Sequence, residues 1–419
     1  MTSKKNMGSE ENPHKIIIKG KSLTPIEQYV KTLTMDGNFL FQLNAEYEAL
    51  VETIVKLHRS FLGKNEASSI LINLCFKFET EHQDRSGSLA EKGNLDLYDL
   101  LVTQIKEYIE SLPHKYTLRI ELPSFPVWDE STNEISKDIR FATKIQKQKT
   151  LKDLMGGLAP PSFGDAPVFQ TCIEIETTGY SGWHPDSLTA SYCLSLAKQC
   201  AFLLNSYEIC RSNYAGKRSR ATLTDDSDNV TREMTLPDSI ARCFGDLIPN
   251  EDKLVLYESG EHVIMNSITR LASTNEEKRN AFNGELLDIT RYFKAYENPD
   301  FESISTAIEW YQDSISADNQ TFSYIAACIG LEALIGSDTR IDNMSNRLAD
   351  RYAFLLGTSR TKRDALIEAY TSVLNLRGKL VHSKMARLSD EGVKLLRTAQ
   401  KMLWDVIWHE LSAIYKSQR

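Results

Sequence analysis

The sequence predicts an α+β protein: an N-terminal α+β domain with a small sheet, followed by a C-terminal all-α helical bundle. Three observations carry this. Residues 116–123 and 169–180 alternate apolar and polar side chains with a period of two, as half-buried strands do. Segments around them repeat apolar residues at helical spacing. From about residue 301 onward only the helical period remains, interrupted by short polar connections.

The elements follow in chain order. "MTSKKNMGSEENPHK" opens the chain with basic residues and no apolar segment behind them, which predicts a disordered tail over 1–20 and no secretory leader. Residues 40–62 place Leu50, Ile54, Leu57 and Phe61 at helical spacing. "SSILINLCFKF" (68–78) fits helix or strand equally, and "QDRSGSLAEKGN" (83–94) is a loop by composition. Residues 95–112 form a helix with Leu97, Leu101, Ile105 and Tyr108 on one side. The strand at 116–123 stops at Pro123 and Pro126. "KDIRFAT" is a weaker strand, "MGGLAPPSFGDAP" a loop, and 186–210 a long helix capped by Asp186 or Ser187. "GKRSRATLTDDSDNVTRE" (216–233) reads as an exposed loop or linker, closing an α+β domain over 21–235. Residues 236–300 are a connection without assignable elements.

The bundle spans 301–419. Ile304, Ile308, Tyr311 and Ile315 make one stripe. The next two helices end at Gly336 and Gly357, natural helix stops. A fourth begins with the pattern Thr361-x-x-Asp364. A last helix carries Leu396, Leu403, Ile407 and Ile414.

Composition narrows the function classes. At 41% hydrophobic and 25% charged residues the chain is an ordinary folded protein. It lacks the run of about 18 apolar residues that a transmembrane helix needs, so no membrane partner and a cytoplasmic location are expected. Its seven cysteines show no CxxC pair and no zinc spacing, so neither metal nor cofactor is expected. The net charge of −8 is uneven: residues 320–419 hold 15 Lys and Arg against 10 Asp and Glu. A basic C-terminal region on an acidic body suits an anionic partner such as nucleic acid, although a surplus of that size also serves plain solvation.

Two features depart from a purely structural bundle. Glu332 falls on the apolar stripe of Ile325, Cys328 and Ile335, where a carboxylate needs a partner; Arg347, Arg351 or Arg377 can supply it. The second is "NLRGKLVHSK" (375–384). Arg377 lies at the edge of the stripe of Val373 and Leu380, and His382 follows five residues later, rotated by about 140° on an unbroken helix. The two converge only if the helix ends near 380–383 or a second copy comes alongside. A guanidinium grips phosphate and keeps its charge. An imidazole takes or gives a proton near neutral pH. Together they suffice to cleave RNA: the 2′-hydroxyl loses its proton and attacks the adjacent phosphorus, and the cation stabilises the phosphorane. Lys379, Lys384 and Arg387 add positive charge for the backbone. With 21 Arg and 8 His in the chain, chance supplies about 0.4 Arg-x4-His pairs, so the motif needs context.

"YIAACIGLEALIG", "RLADRYAFLLG" and "LNLRGKLVHSK", in this order and spacing, resemble the HEPN superfamily, most closely its Apea-like branch, over about 300–419. The resemblance implies a bundle that forms a homodimer and joins two Arg-x4-His segments in one site. It implies a metal-independent endoribonuclease, with tRNA among the candidate substrates, of the kind found in antiphage, abortive-infection or toxin systems. The α+β half would then sense a trigger of phage origin. By residue, Arg377 would bind phosphate and His382 would act as acid and base, with Glu332 and Arg347 in supporting positions. Many nucleolytic relatives carry a polar residue directly after the arginine, where this chain has Gly378. The alternative is a noncatalytic RNA-binding or dimerisation module of the same superfamily.

Overall fold

The computed structural model describes residues 16–37, 40–122, 131–146, 168–182, 187–207, 221–227, 230–234, 236, 275–295, 301–336, 344–382 and 387–417. It is an α+β protein with a small sheet in the N-terminal half and a helical C-terminal region. The chain divides into two compact units.

The first unit comprises Met1–Thr117, Glu176–Cys193 and Thr224–Thr231. Four helices build its core: α1 (Thr24–Thr32), α2 (Ala45–Leu57), α3 (Lys64–Glu81) and α4 (Leu95–Ser111). Asn44 caps α2 by accepting the Tyr47 N–H at 2.8 Å, which satisfies one of the orphan donors of the first turn. Tyr29, Leu50, Ile54, Leu71, Phe78, Leu101 and Ile105 are fully buried together, each contributing about 1.5–3 kcal/mol of transfer free energy. In α4 the buried set is Leu97, Leu101, Ile105 and Ile109, with Tyr108 only partly covered. The ambiguous run at 68–78 is helical. Ile18 is buried and its N–H donates to Glu110 Oε1 at 2.7 Å, so the apolar end of the segment assigned to the tail joins this core. The loop at 83–94 contains one short strand, β2 (Gly87–Ser88), paired antiparallel with β1 (Thr34–Met35). Gly87 adopts φ +99°, a conformation that side chains disfavour.

The six-stranded sheet consists of β3 (His114–Leu122), β4 (Ser131–Glu134), β5 (Ile139–Gln146), β6 (Val168–Gly179), β7 (Ala221–Asp225) and β8 (Val230–Met234), in the order β4-β5-β6-β3-β7-β8. In β3, Tyr116, Leu118, Ile120 and Leu122 are buried and the residues between them are less so, which is the alternation the sequence shows. The phase break at Cys172 reflects coverage of both faces: Cys172, Ile173, Glu174 and Ile175 are all buried. Glu174 is answered by Arg119 Nε at 3.0 Å and by Arg140, its cross-strand partner in β5.

Residues 216–233 are a correction. They supply β7 and β8 rather than an exposed linker. Ala221 and Leu223 turn inward, while the Thr224 and Thr231 hydroxyls meet at 3.0 Å on the exposed side. A sheet-end hairpin with one solvated face shows few inward apolar residues, here Ala221, Leu223 and Met234, so composition masks its period.

The second unit comprises Leu118–Ile175, Leu194–Leu223 and Arg232–Arg419. The long helix expected at 186–210 is α5 (Leu188–Ser206). Ser187 caps it by accepting the Ala190 N–H at 3.1 Å; Asp186 lies outside the described residues. The connection at 236–300 contains α6 (Asn275–Ala295), where Tyr292 is buried and donates to Gln199 Oε1 at 2.9 Å.

Five further helices follow: α7 (Glu302–Ser316), α8 (Gln320–Ile335), α9 (Met344–Leu356), α10 (Arg360–Val381) and α11 (Asp390–Ser417). α7 packs along α8, α8 against α11, and α9 against α10. Asn319 starts α8 by accepting the N–H groups of Thr321 and Phe322. Gly336 and Gly357 stop α8 and α9, their N–H groups bonding Glu332 O and Ala353 O at 2.8 Å. The start of α10 is a second correction: Ser359, not Thr361, is the cap, accepting the Lys362 N–H at 3.3 Å. The helix begins two residues earlier because Ser359 has the extended backbone of a cap, φ −138° and ψ 164°, and its hydroxyl reaches the N–H three residues on.

Candidate active site

Two helices position the site. α8 brings Glu332 and α10 brings Arg377, and the pair is fixed by Tyr324, whose buried hydroxyl donates to Val373 O at 2.7 Å. On α10, Tyr370, Val373, Leu376 and Leu380 are buried, and Arg377 sits between them at the edge. Its Nη2 donates to Glu332 Oε2 at 3.3 Å, and both side chains are 33% exposed. At that exposure the pair contributes about 0–1 kcal/mol. Of the three arginines that the sequence offered, Arg377 is therefore the partner. Arg351 donates to Gly336 O at 3.2 Å instead. Arg347 is exposed on α9, and among the described residues no ion pair joins it to Glu332; Glu332 thus has the support expected, from a different residue.

The surroundings of the pair are buried and polarisable. Burial pushes the Cys328 thiol, one turn before Glu332, up to about 12; the Glu332 charge adds to this and Arg377 opposes it. Burial also raises the Tyr370 hydroxyl, again with a contribution from Glu332. Tyr370 lies seven residues before Arg377, so the helical period placed it on the same face. Nothing in the sequence marked it beyond an apolar-stripe tyrosine.

α10 ends at Val381, and His382 is its C-cap, with φ −88° and ψ 23°. Its N–H bonds Gly378 O at 3.1 Å, and the side chain is exposed. The helix thus ends inside the interval 380–383, one of the two routes by which the sequence allows the side chains to converge. Lys379 and Arg387 are exposed as well, Arg387 just before α11; Lys384 lies outside the described residues. Lys379 lies in the last turn of α10, where the helix dipole favours a cation, so its position alone serves stability as well as binding. Among the described residues no hydrogen bond joins Arg377 to His382. One face of α10 carries Arg377 and its C-terminal end carries His382.

Gly378 separates the two. A β-carbon built there meets nothing within 4 Å, so the position has room for a side chain. Gly378→Ala is expected to stabilise the protein by about 0.5–1 kcal/mol through helix propensity, seen as a higher urea midpoint. An unchanged or lower midpoint would show that the glycine is needed structurally.

No family model, curated protein or solved structure matches the chain. Among the described residues no helix is long and apolar enough to cross a membrane.

Proposed function

We propose that the chain is a metal-independent endoribonuclease of HEPN type, acting in the cytoplasm as a homodimer through its C-terminal bundle. The observation that carries the reading is a partly exposed arginine followed five residues later by an exposed histidine at a helix terminus. Arg377 would hold the scissile phosphate, and His382 would take the 2′-hydroxyl proton or protonate the leaving 5′-oxygen. Lys379 and Arg387 are placed to meet neighbouring phosphates. A second copy would supply another Arg377 and His382 to the same site, as the resemblance to HEPN proteins implies. The α+β half would sense a trigger, such as a phage product, in an abortive-infection or toxin system, with tRNA among the substrates.

The noncatalytic alternative draws on one observation: Glu332 already occupies the guanidinium of Arg377. Incubating the purified protein with total RNA in excess chelator separates the two readings. Cleavage is expected. Intact RNA, with and without the physiological trigger, would support a binding module.

A further inference from the structure

We propose that Glu332 is a built-in competitor for substrate phosphate at Arg377, so that RNA engages the site by displacing a carboxylate. This rests on the ribonuclease reading of Arg377 and adds the regulation of that site.

The bond between the two side chains is single and long, 3.3 Å, where a charge-assisted bond at its best is about 2.7–2.9 Å. Arg377 Nε is buried and has no hydrogen-bond partner among the described residues. A carboxylate serving only to anchor the guanidinium would take Nε and Nη2 together as a fork; Glu332 takes Nη2 alone. Phosphate bound bidentately draws on Nη2 in either arrangement, paired with Nε side-on or with Nη1 end-on. Carboxylate and phosphate therefore ask for the same nitrogen. The pair is one-third exposed, so an incoming anion can reach it.

Tyr324, about two turns before Glu332, ties α8 to α10 through Val373 O, one turn before Arg377. Exchange comes from side-chain rotation, for which both residues have long stems. Tyr370 offers a displaced carboxylate a donor, since its buried hydroxyl has no partner among the described residues and already feels the Glu332 charge. The consequence is a site that holds its phosphate ligand neutralised at rest and binds weak or isolated phosphates poorly. A polyanion that also engages Lys379 and Arg387 supplies the extra attraction needed to open it.

The test is binding of a fluorescent 2′-O-methyl RNA oligonucleotide, which lacks the attacking hydroxyl, to the full-length chain. Glu332→Gln keeps the shape and removes the charge, and is expected to tighten binding about threefold to fivefold. Glu332→Ala is expected to do the same, should the glutamine variant fold poorly. In an Arg377→Gln background the Glu332 substitution should change nothing, because the effect runs through the guanidinium. If Glu332→Gln binds no better than the parent while Arg377→Gln binds more weakly, the competition is refuted and the ribonuclease reading stands. If Arg377→Gln binds as tightly as the parent, both fall.

Discussion

His382→Ala is expected to lower RNA cleavage by about 10²–10⁴-fold, the usual contribution of a positioned acid or base, without disturbing the fold. The second half of this expectation comes from the geometry. Among the described residues the helix end is closed here by the His382 backbone N–H, which bonds Gly378 O and Leu380 O, and alanine keeps these bonds. The imidazole is exposed and makes no hydrogen bond among the described residues, so its removal should shift stability by no more than about 0.5 kcal/mol. Single-turnover cleavage and urea unfolding of the same preparation check both halves. Loss of activity together with loss of structure would assign His382 to architecture. Arg377→Ala is a less clean probe, because it also leaves Glu332 half-buried without its partner.

A large effect on stability is expected where Gly330 meets Leu403. This residue lies on the buried face of α8, two positions before Glu332. A β-carbon there would stand 2.6 Å from Leu403 Cδ2 of α11 and 3.1 Å from Trp310 Cβ of α7. Leu403 and the neighbouring Val406 and Ile407 are fully buried, so the leucine has little room to withdraw. Gly330→Val is expected to destabilise the protein by about 2–3 kcal/mol through overpacking, despite better helix propensity. The mechanism has a signature. Leu403→Ala alone should cost about 2–5 kcal/mol as a cavity, yet the double variant should cost less than the sum, because the new valine occupies part of the space vacated. Simple additivity in urea unfolding would mean that the two residues do not share that space.

Much of this architecture was legible in the sequence because one apolar period dominates each element. α4, β3, α7 and α11 were read in place, since burial on one face leaves a pattern that polar neighbours sharpen. Legibility failed where that pattern was diluted. The β7–β8 hairpin shows three inward apolar residues, Ala221, Leu223 and Met234, among threonines and acids, so it looked like a linker. α6, with polar residues such as Asn275, Glu276, Glu277 and Lys278 over its first turn, offered little contrast until Ile289, Tyr292 and Phe293. The cap of α10 was misplaced because Thr361 and Asp364 satisfy a local rule that Ser359 satisfies two residues sooner.

The candidate site divides the same way. Arg377 and His382 stood out by chemistry and spacing, and a helix end near 380–383 was one of two ways for them to converge. The pairing of Glu332 was narrowed to three arginines but not to one, because the choice depends on how α8 and α10 cross. Tyr324, Cys328 and Tyr370 are ordinary stripe residues in sequence. Only packing gives them a place beside the ion pair.

The chemistry itself admits one decisive reading: the ends of the RNA fragments produced by the purified chain in excess chelator. Attack by the 2′-hydroxyl, with Arg377 on the phosphate and His382 moving the proton, leaves a 2′,3′-cyclic phosphate and a 5′-hydroxyl. Fragments ending in a 3′-hydroxyl and a 5′-phosphate would mean that water was the nucleophile, and the roles given to both residues would be wrong.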